Sequence, residues 1–148
     1  MKGAVLHADW QPRKGYVPTA FENQTRKVTQ GSRVWRNPKL VLGEVPTPDV
    51  GPRDLLIQVK ACGICGSDVH MYEKDREGYV LYPGLTRFPS ILGHELSGVV
   101  RKVGSEAKGF KEGDMVTTEE MIWCGECTPC RNGLPNHCVN LEEIGFTI

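Results

Sequence analysis

Residues 61–70 read ACGICGSDVH. Cys62 and Cys65 have the spacing of a thiol redox pair, but the GSDVH that follows adds a hydroxyl, a carboxylate and an imidazole that such a pair does not use. Three readings are open: a dithiol switch, half of a metal site, or two neighbouring thiols with no shared role. Upstream, LLIQVKA alternates, with Leu55, Ile57, Val59 and Ala61 on one side and Gln58 and Lys60 on the other; this period of two predicts a strand. Downstream, CGSDVHMYEK predicts a helix capped by Ser67 or Asp68. A redox pair also sits at a strand-to-helix junction, but inside a βαβ unit, and no second βα unit follows here.

The rest of the chain is strand-rich. KGAVLH at 2–7 predicts a first strand, and residues 11–32 read as a polar loop or extended hairpin. KLVLGEVPTPDVGPRD reads as a strand and a Pro-rich turn ending at Asp54. Residues 73–90 read as a long polar loop, LSGVVRKVG as a strand, and GFKEGDMVTT as a turn into another. With 17 Gly and 10 Pro in 148 residues, the expectation is a single mainly β domain with short helices, of barrel or sandwich type. Eighteen basic residues balance 18 acidic ones, which argues against a nucleic-acid partner. No apolar run reaches the ~20 residues of a membrane span, and MKGAVLHADW lacks a signal-peptide core. A cytoplasmic location is expected, and six cysteines in a reducing compartment point to metal ligation before disulfides.

Four of those cysteines fall in WCGECTPCRNGLPNHC, as C-x2-C-x2-C-x7-C at Cys124, Cys127, Cys130 and Cys138. Residues 123–140 have almost no hydrophobic periodicity, so burial of apolar area cannot hold them together. Four thiolates closing on one tetrahedral Zn2+ would supply the crosslink, because metal-binding free energy becomes folding free energy. The rivals are an iron–sulfur cluster, whose bacterial ferredoxin spacing C-x2-C-x2-C-x3-C-P this pattern departs from, and plain structural cysteines. His137 is an alternative fourth ligand. Coordination closed on all four sides predicts a structural site.

LGHELSG at 92–98 offers His94 and Glu95 on a turn before a strand. It lacks the second His of a zincin helix. Alone, His94 reads as an ordinary structural histidine and Cys65 as a buried thiol; from separate segments they could share a metal.

Taken in order, GPRDLLIQVKACGICGSDVH, GHELSG, VGSEAKGFKEGDMV and the cysteine lobe closely resemble the zinc-dependent medium-chain alcohol and polyol dehydrogenases. The likeness runs from about Lys39 onward and includes the first strand. It implies the GroES-like β-barrel catalytic domain of that family, with residues 123–140 as its structural zinc lobe. It also implies that Cys65 and His94 bind the catalytic zinc, with Glu95 beside or on the metal, Asp68 supporting the site, and Ser67 touching the substrate oxygen. His70 takes the outer place in the proton relay, on the cofactor side. Cys124, Cys127, Cys130 and Cys138 match the structural zinc ligands, and Cys62 has no role. The implied chemistry is oxidation of an alcohol by hydride transfer to NAD or NADP, with Zn2+ as Lewis acid and a relay through Ser67 and an imidazole that titrates near neutrality.

The sequence departs from the family in two ways. It contains no G-x-G-x-x-G and no βαβ run, so the Rossmann domain is absent, and so is a third downstream zinc ligand. The chain is expected to be a domain incomplete at its C-terminus, inactive alone and monomeric, where longer members form homo-oligomers. The insert between His70 and His94 is also long, which resembles the subgroup acting on polyols, inosose-type cyclitol dehydrogenases included. Glu119 and Glu120, in TTEEM, fall where the family lines its substrate cleft, although both also read as solvated surface acids. Two other classes remain: a non-catalytic zinc-binding module and a CxxC thiol redox protein.

Overall fold

The computed structural model describes residues 1–148. Eight strands, β1 (Lys2–Trp10), β2 (Trp35–Glu44), β3 (Leu55–Cys62), β4 (Ser90–Ile91), β5 (Leu96–Val103), β6 (Met115–Thr117), β7 (Met121–Ile122) and β8 (Glu142–Glu143), alternate with the short helices α1 (Ala20–Thr25), α2 (Gly66–Tyr72) and α3 (Thr128–Arg131). The strands form two antiparallel three-stranded sheets, ordered β2-β1-β4 and β3-β5-β6, and a β7-β8 ribbon. The expected mainly β architecture with short helices is what the chain adopts.

Local chemistry explains several boundaries. The 11–32 segment, expected to be loop, contains α1. Glu22 N donates to Thr19 Oγ1 at 3.1 Å and Thr19 N donates to Glu22 Oε2 at 2.8 Å, a reciprocal capping box. At α2 the cap differs from expectation. Cys65 takes the N-cap position, and Asp68, inside the first turn, accepts from Cys65 N at 2.9 Å. The β3 strand forms where its period of two predicts, but its pairing with β5 slips register twice, between Leu56 and Ile57 and between Val59 and Ala61. Val59 and Ala61 are exposed, as are Gln58 and Lys60 on the opposite face.

The core gathers Leu6 of β1, Val28 and Val34, Trp35 of β2, Met71 of α2, Val80, Phe88 and Phe146. Trp35 meets Trp10 and Phe88 edge-on, each pair of ring centroids 5.2 Å apart. The polar 73–90 segment therefore carries core residues despite its irregular backbone, which forms isolated bridges at Lys74–Val80, Arg36–Tyr79 and Val28–Thr86 and joins β1 through Ser90 of β4. Met71 is fully buried, and it fixes α2 with Asp68 turned inward and His70 outward.

Candidate active site

The β3–β5 ladder brings the two motifs together. Cys62 pairs with Leu96, and the ladder runs one step further as Gly63 N donates to Glu95 O at 2.9 Å. Cys65 then starts α2 just beyond one strand end, and His94 and Glu95 lead into the other. Gly93 turns the chain there at φ +107, where a Cβ would also lie 2.6 Å from Cys62 Sγ; only glycine fits such a position without strain. Gly63 likewise leaves room for Glu95, whose Oε2 lies 2.6 Å from where a Gly63 Cβ would stand.

The result is a tight donor set. One ligand atom each from Cys65, His94 and Glu95 lie within 4.8 Å of one another. His94 is buried, half-buried Cys65 and exposed Glu95 flank it, and Ser67 Oγ lies 3.4 Å from His94 Nε2. Behind the imidazole, His94 Nδ1 faces Asp68 Oδ1 at 3.6 Å with both side chains under a tenth exposed. Neither atom has a hydrogen-bond partner within the chain. The Asp68 carboxylate thus directs one ring nitrogen inward and leaves Nε2 facing Cys65 and Ser67, the arrangement that orients metal-ligating histidines. The Ser67 hydroxyl and backbone N–H, followed by His94, hold the Cys65 thiol below its ordinary range, which favours the thiolate a metal needs. Thiolate, imidazole and carboxylate on one point fit Zn2+.

The second group is the cysteine lobe. Ligand atoms of Cys124, Cys127, Cys130 and Cys138 also lie within 4.8 Å of one another. Cys127 Sγ and Cys130 Sγ are 3.3 Å apart, and Cys138 Sγ and Cys124 Sγ 3.6 Å. A tetrahedron with metal–sulfur bonds of about 2.3 Å has edges of about 3.8 Å, so the spacing fits a single zinc. Four thiols this close cannot all ionise without a counter-cation. Backbone N–H groups of Cys130 and Val139 pull Cys127 down to about 6, while burial and the neighbouring Cys127 push Cys130 up to about 12.

A cleft of about 350 Å³ opens beside the first group, walled by His94, Glu95, Ser97, Thr117, Thr118 and Glu120 among others. Of the expected cleft acids, Glu120 lines it, whereas Glu119 is exposed and outside the lining. His70 is exposed on the outer face of α2, apart from the donor cluster. Cys62 is exposed and belongs to neither metal-type group.

Two residues escaped the sequence analysis. Glu143 of β8 lies opposite Met121 of β7, and its half-buried carboxyl is pushed up by burial and by Glu120, with His94 pulling the other way. Tyr82 packs on Phe146 at 5.2 Å between ring centroids, and Phe146 packs on His94 at 4.7 Å. Burial, with the charges of Glu143, Cys65 and Glu120, pushes the Tyr82 phenol up to about 12. Tyr82 had a signal, since it falls in the long insert; Glu143 had none, because its place depends on a two-residue ribbon.

Comparison with known proteins agrees with this geometry. The model of the alcohol dehydrogenase GroES-like domain matches residues 51–147, and the chain belongs to that family. It is 50% identical over 155 residues to the scyllo-inosose 3-dehydrogenase of Thermotoga maritima, an alignment covering 100% of this chain and 39% of the relative. It is 40% identical over 119 residues to the L-threonine 3-dehydrogenase of Deinococcus radiodurans, covering 80% of this chain and 31% of that one. A solved Thermotoga maritima structure superposes with a TM-score of 0.93 at 51% identity, over 98% of this chain and 38% of that chain. Alcohol dehydrogenase TADH from Thermus sp. ATN1 superposes at 0.61 with 26% identity, over 100% and 33%. The chain thus spans well under half the length of these relatives. No helix in it is long and apolar enough to cross a membrane.

Proposed function

We propose that this chain is the zinc-binding catalytic part of an NAD(P)-linked dehydrogenase acting on small-molecule alcohols or polyols. The convergence of Cys65, His94 and Glu95 on one point beside the cleft carries this reading, and the family membership supports it. Zinc held by these residues would act as a Lewis acid towards a substrate oxygen. Asp68 holds the His94 ring in place and the start of α2 against it. Ser67, at 3.4 Å from His94 Nε2, is positioned to take the substrate hydroxyl proton, and His70 at the solvent-facing side of α2 passes it outward. Glu95 stands beside the metal position as a further ligand or base. The nicotinamide cofactor, NAD or NADP, binds to a Rossmann domain outside this chain. Residues 123–140 form a structural lobe within the single domain, closed by Cys124, Cys127, Cys130 and Cys138 on a second zinc.

The test is the zinc-to-protein ratio of the purified chain, with Cys65→Ser beside it. Two ions per chain, falling to one in the variant, are expected. One ion, unchanged by the substitution, would refute the catalytic site and leave a non-catalytic zinc module.

A further inference from the structure

Asp68 fixes one edge of the His94 ring but not its plane. A contact at a single ring atom, 3.6 Å between Asp68 Oδ1 and His94 Nδ1, leaves rotation about χ2, and that torsion is broad for histidine. The Nε2 lone pair lies in the ring plane. The tilt of the ring therefore decides whether Nε2 aims at the point shared with Cys65 and Glu95 or past it.

Residues 145–147 supply the second restraint. Phe146 packs against the His94 ring, with centroids 4.7 Å apart and planes at 41°. Tyr82 packs on Phe146 in turn at 5.2 Å, and Phe146 is 4% exposed within the core cluster that also holds Met71 of α2. The backbone around it is anchored. Phe146 O accepts from Arg87 N at 2.9 Å, and Thr147 N donates to Glu143 O at 2.9 Å. Arg87 Nε donates to Thr147 O at 2.7 Å. Gly145 takes φ +81, and a Cβ there would stand 2.8 Å from Gly93 O and 3.0 Å from Gly93 C. The segment thus lies flush on the backbone of the residue before His94, at a closeness that only glycine permits. Ring and backbone bear on the same histidine from a segment remote in sequence.

We propose that Phe146 is a positioning residue of this site, which sets the plane of the His94 imidazole and so the aim of Nε2. The inference rests on the catalytic reading above. Asp68 fixes the direction of the ring and Phe146 its tilt. Together they remove a freedom that a ligating histidine would otherwise lose on binding a metal. A leucine at 146 would fill much of the same volume and keep the core, but it offers no flat face to the imidazole.

The experiment is a competitive Co2+ titration of the metal-free full-length protein, read by its thiolate-to-metal and d–d bands. The Cys65-dependent component is the difference from Cys65→Ser. Phe146→Leu should weaken that component by about three- to tenfold, the worth of one aromatic pair, and shift its d–d bands. The four-cysteine transition should stay in place. Val28→Ala, in the same core cluster, controls for lost stability alone and should move neither transition. Arg87→Met, at a side chain about a third exposed, loosens Thr147 without opening the core and should weaken the Cys65-dependent component about twofold, part of one hydrogen bond. It carries the test if Phe146→Leu does not fold. A Cys65-dependent component that stays unmoved in folded Phe146→Leu, or in Arg87→Met where that variant stands in for it, would overturn the proposal. Equal movement in Val28→Ala would mean a merely structural role and overturn it too. Absence of any Cys65-dependent component in the unaltered protein would instead refute the catalytic reading, and the proposal with it.

Discussion

Asp68→Asn tests the site at the residue that holds both of its motifs. One carboxylate oxygen accepts from Cys65 N at 2.9 Å; the other faces His94 Nδ1 at 3.6 Å. Asparagine can keep the first contact through its carbonyl oxygen, so the start of α2 survives, but its amide cannot also accept from the imidazole. Loss of a carboxylate that orients a metal-ligating histidine costs about 10–100-fold in metal affinity. At 3.6 Å the contact is longer than a hydrogen bond, which places it at the lower end, roughly tenfold or about 1.4 kcal/mol. The assay is competitive Co2+ titration of the apo chain against a chromogenic chelator, following thiolate-to-metal absorbance. The Cys65-dependent transition should weaken about tenfold in Asp68→Asn, and by about another fivefold in Asp68→Ala, where the Cys65 N–H also loses its acceptor. The four-cysteine group serves as an internal control and should not move. Unchanged affinity at the Cys65 site in Asp68→Asn would show that the carboxylate does not orient His94.

Two further outcomes follow from the same geometry. In the zinc-loaded chain a thiol reagent should label Cys62 quickly and the other five cysteines slowly, and chelation should release those five; fast labelling of Cys65 before chelation would count against its role as a ligand. Lys27, buried and 2.8 Å from both Leu141 O and Glu142 Oε1, ties the N-terminal segment to the end of the cysteine lobe, and Lys27→Met should cost about 2 kcal/mol near neutral pH, less than a fully buried pair because Glu142 is about a third exposed. Burial alone would raise the Glu142 carboxyl, but hydrogen bonds from Lys27 and Thr147 outweigh it and hold the carboxyl below its ordinary 4.5. A depressed folded-state value means stability that is present above pH 4.5 and lost as pH falls through the folded value. Urea midpoints of Lys27→Met and the unaltered chain should therefore converge below that pH; curves that stay parallel would place the acid sensitivity elsewhere.

What the sequence could show divides along the range of the interactions involved. The β3 strand and α2 were legible because a period of two and a run of helix-forming residues are local, and so was the four-cysteine group, whose spacing lets short turns bring the sulfurs together. Cys65 and His94 were legible only as a resemblance, since the β3–β5 pairing that joins them spans some thirty residues of chain. The Thr19–Glu22 capping box was written in the sequence as T-x-x-E, but α1 has only six residues and no apolar face to announce it. The core role of residues 79–88 was hidden for a different reason. Tyr79, Val80 and Phe88 are buried on irregular backbone, so no periodicity marks them.

Glu143 shows where local reasoning stops. It stands among ordinary acids, five residues beyond Cys138, and nothing nearby distinguishes it from Glu142. Two ribbon pairs, Met121 with Glu143 and Ile122 with Glu142, separate them: Glu142 goes to Lys27 and the fold, and Glu143 turns to the opposite side of the ribbon. That ribbon brackets the cysteine lobe, whose four thiols resist joint ionisation until a cation joins them. A metal bound there would tie down the loop between β7 and β8, and with it the ribbon whose Glu142 meets Lys27 at 2.8 Å. Chelating that metal alone should therefore shrink the urea-midpoint loss caused by Lys27→Met, and an unchanged loss in the metal-free chain would show that the ribbon holds its register without the lobe.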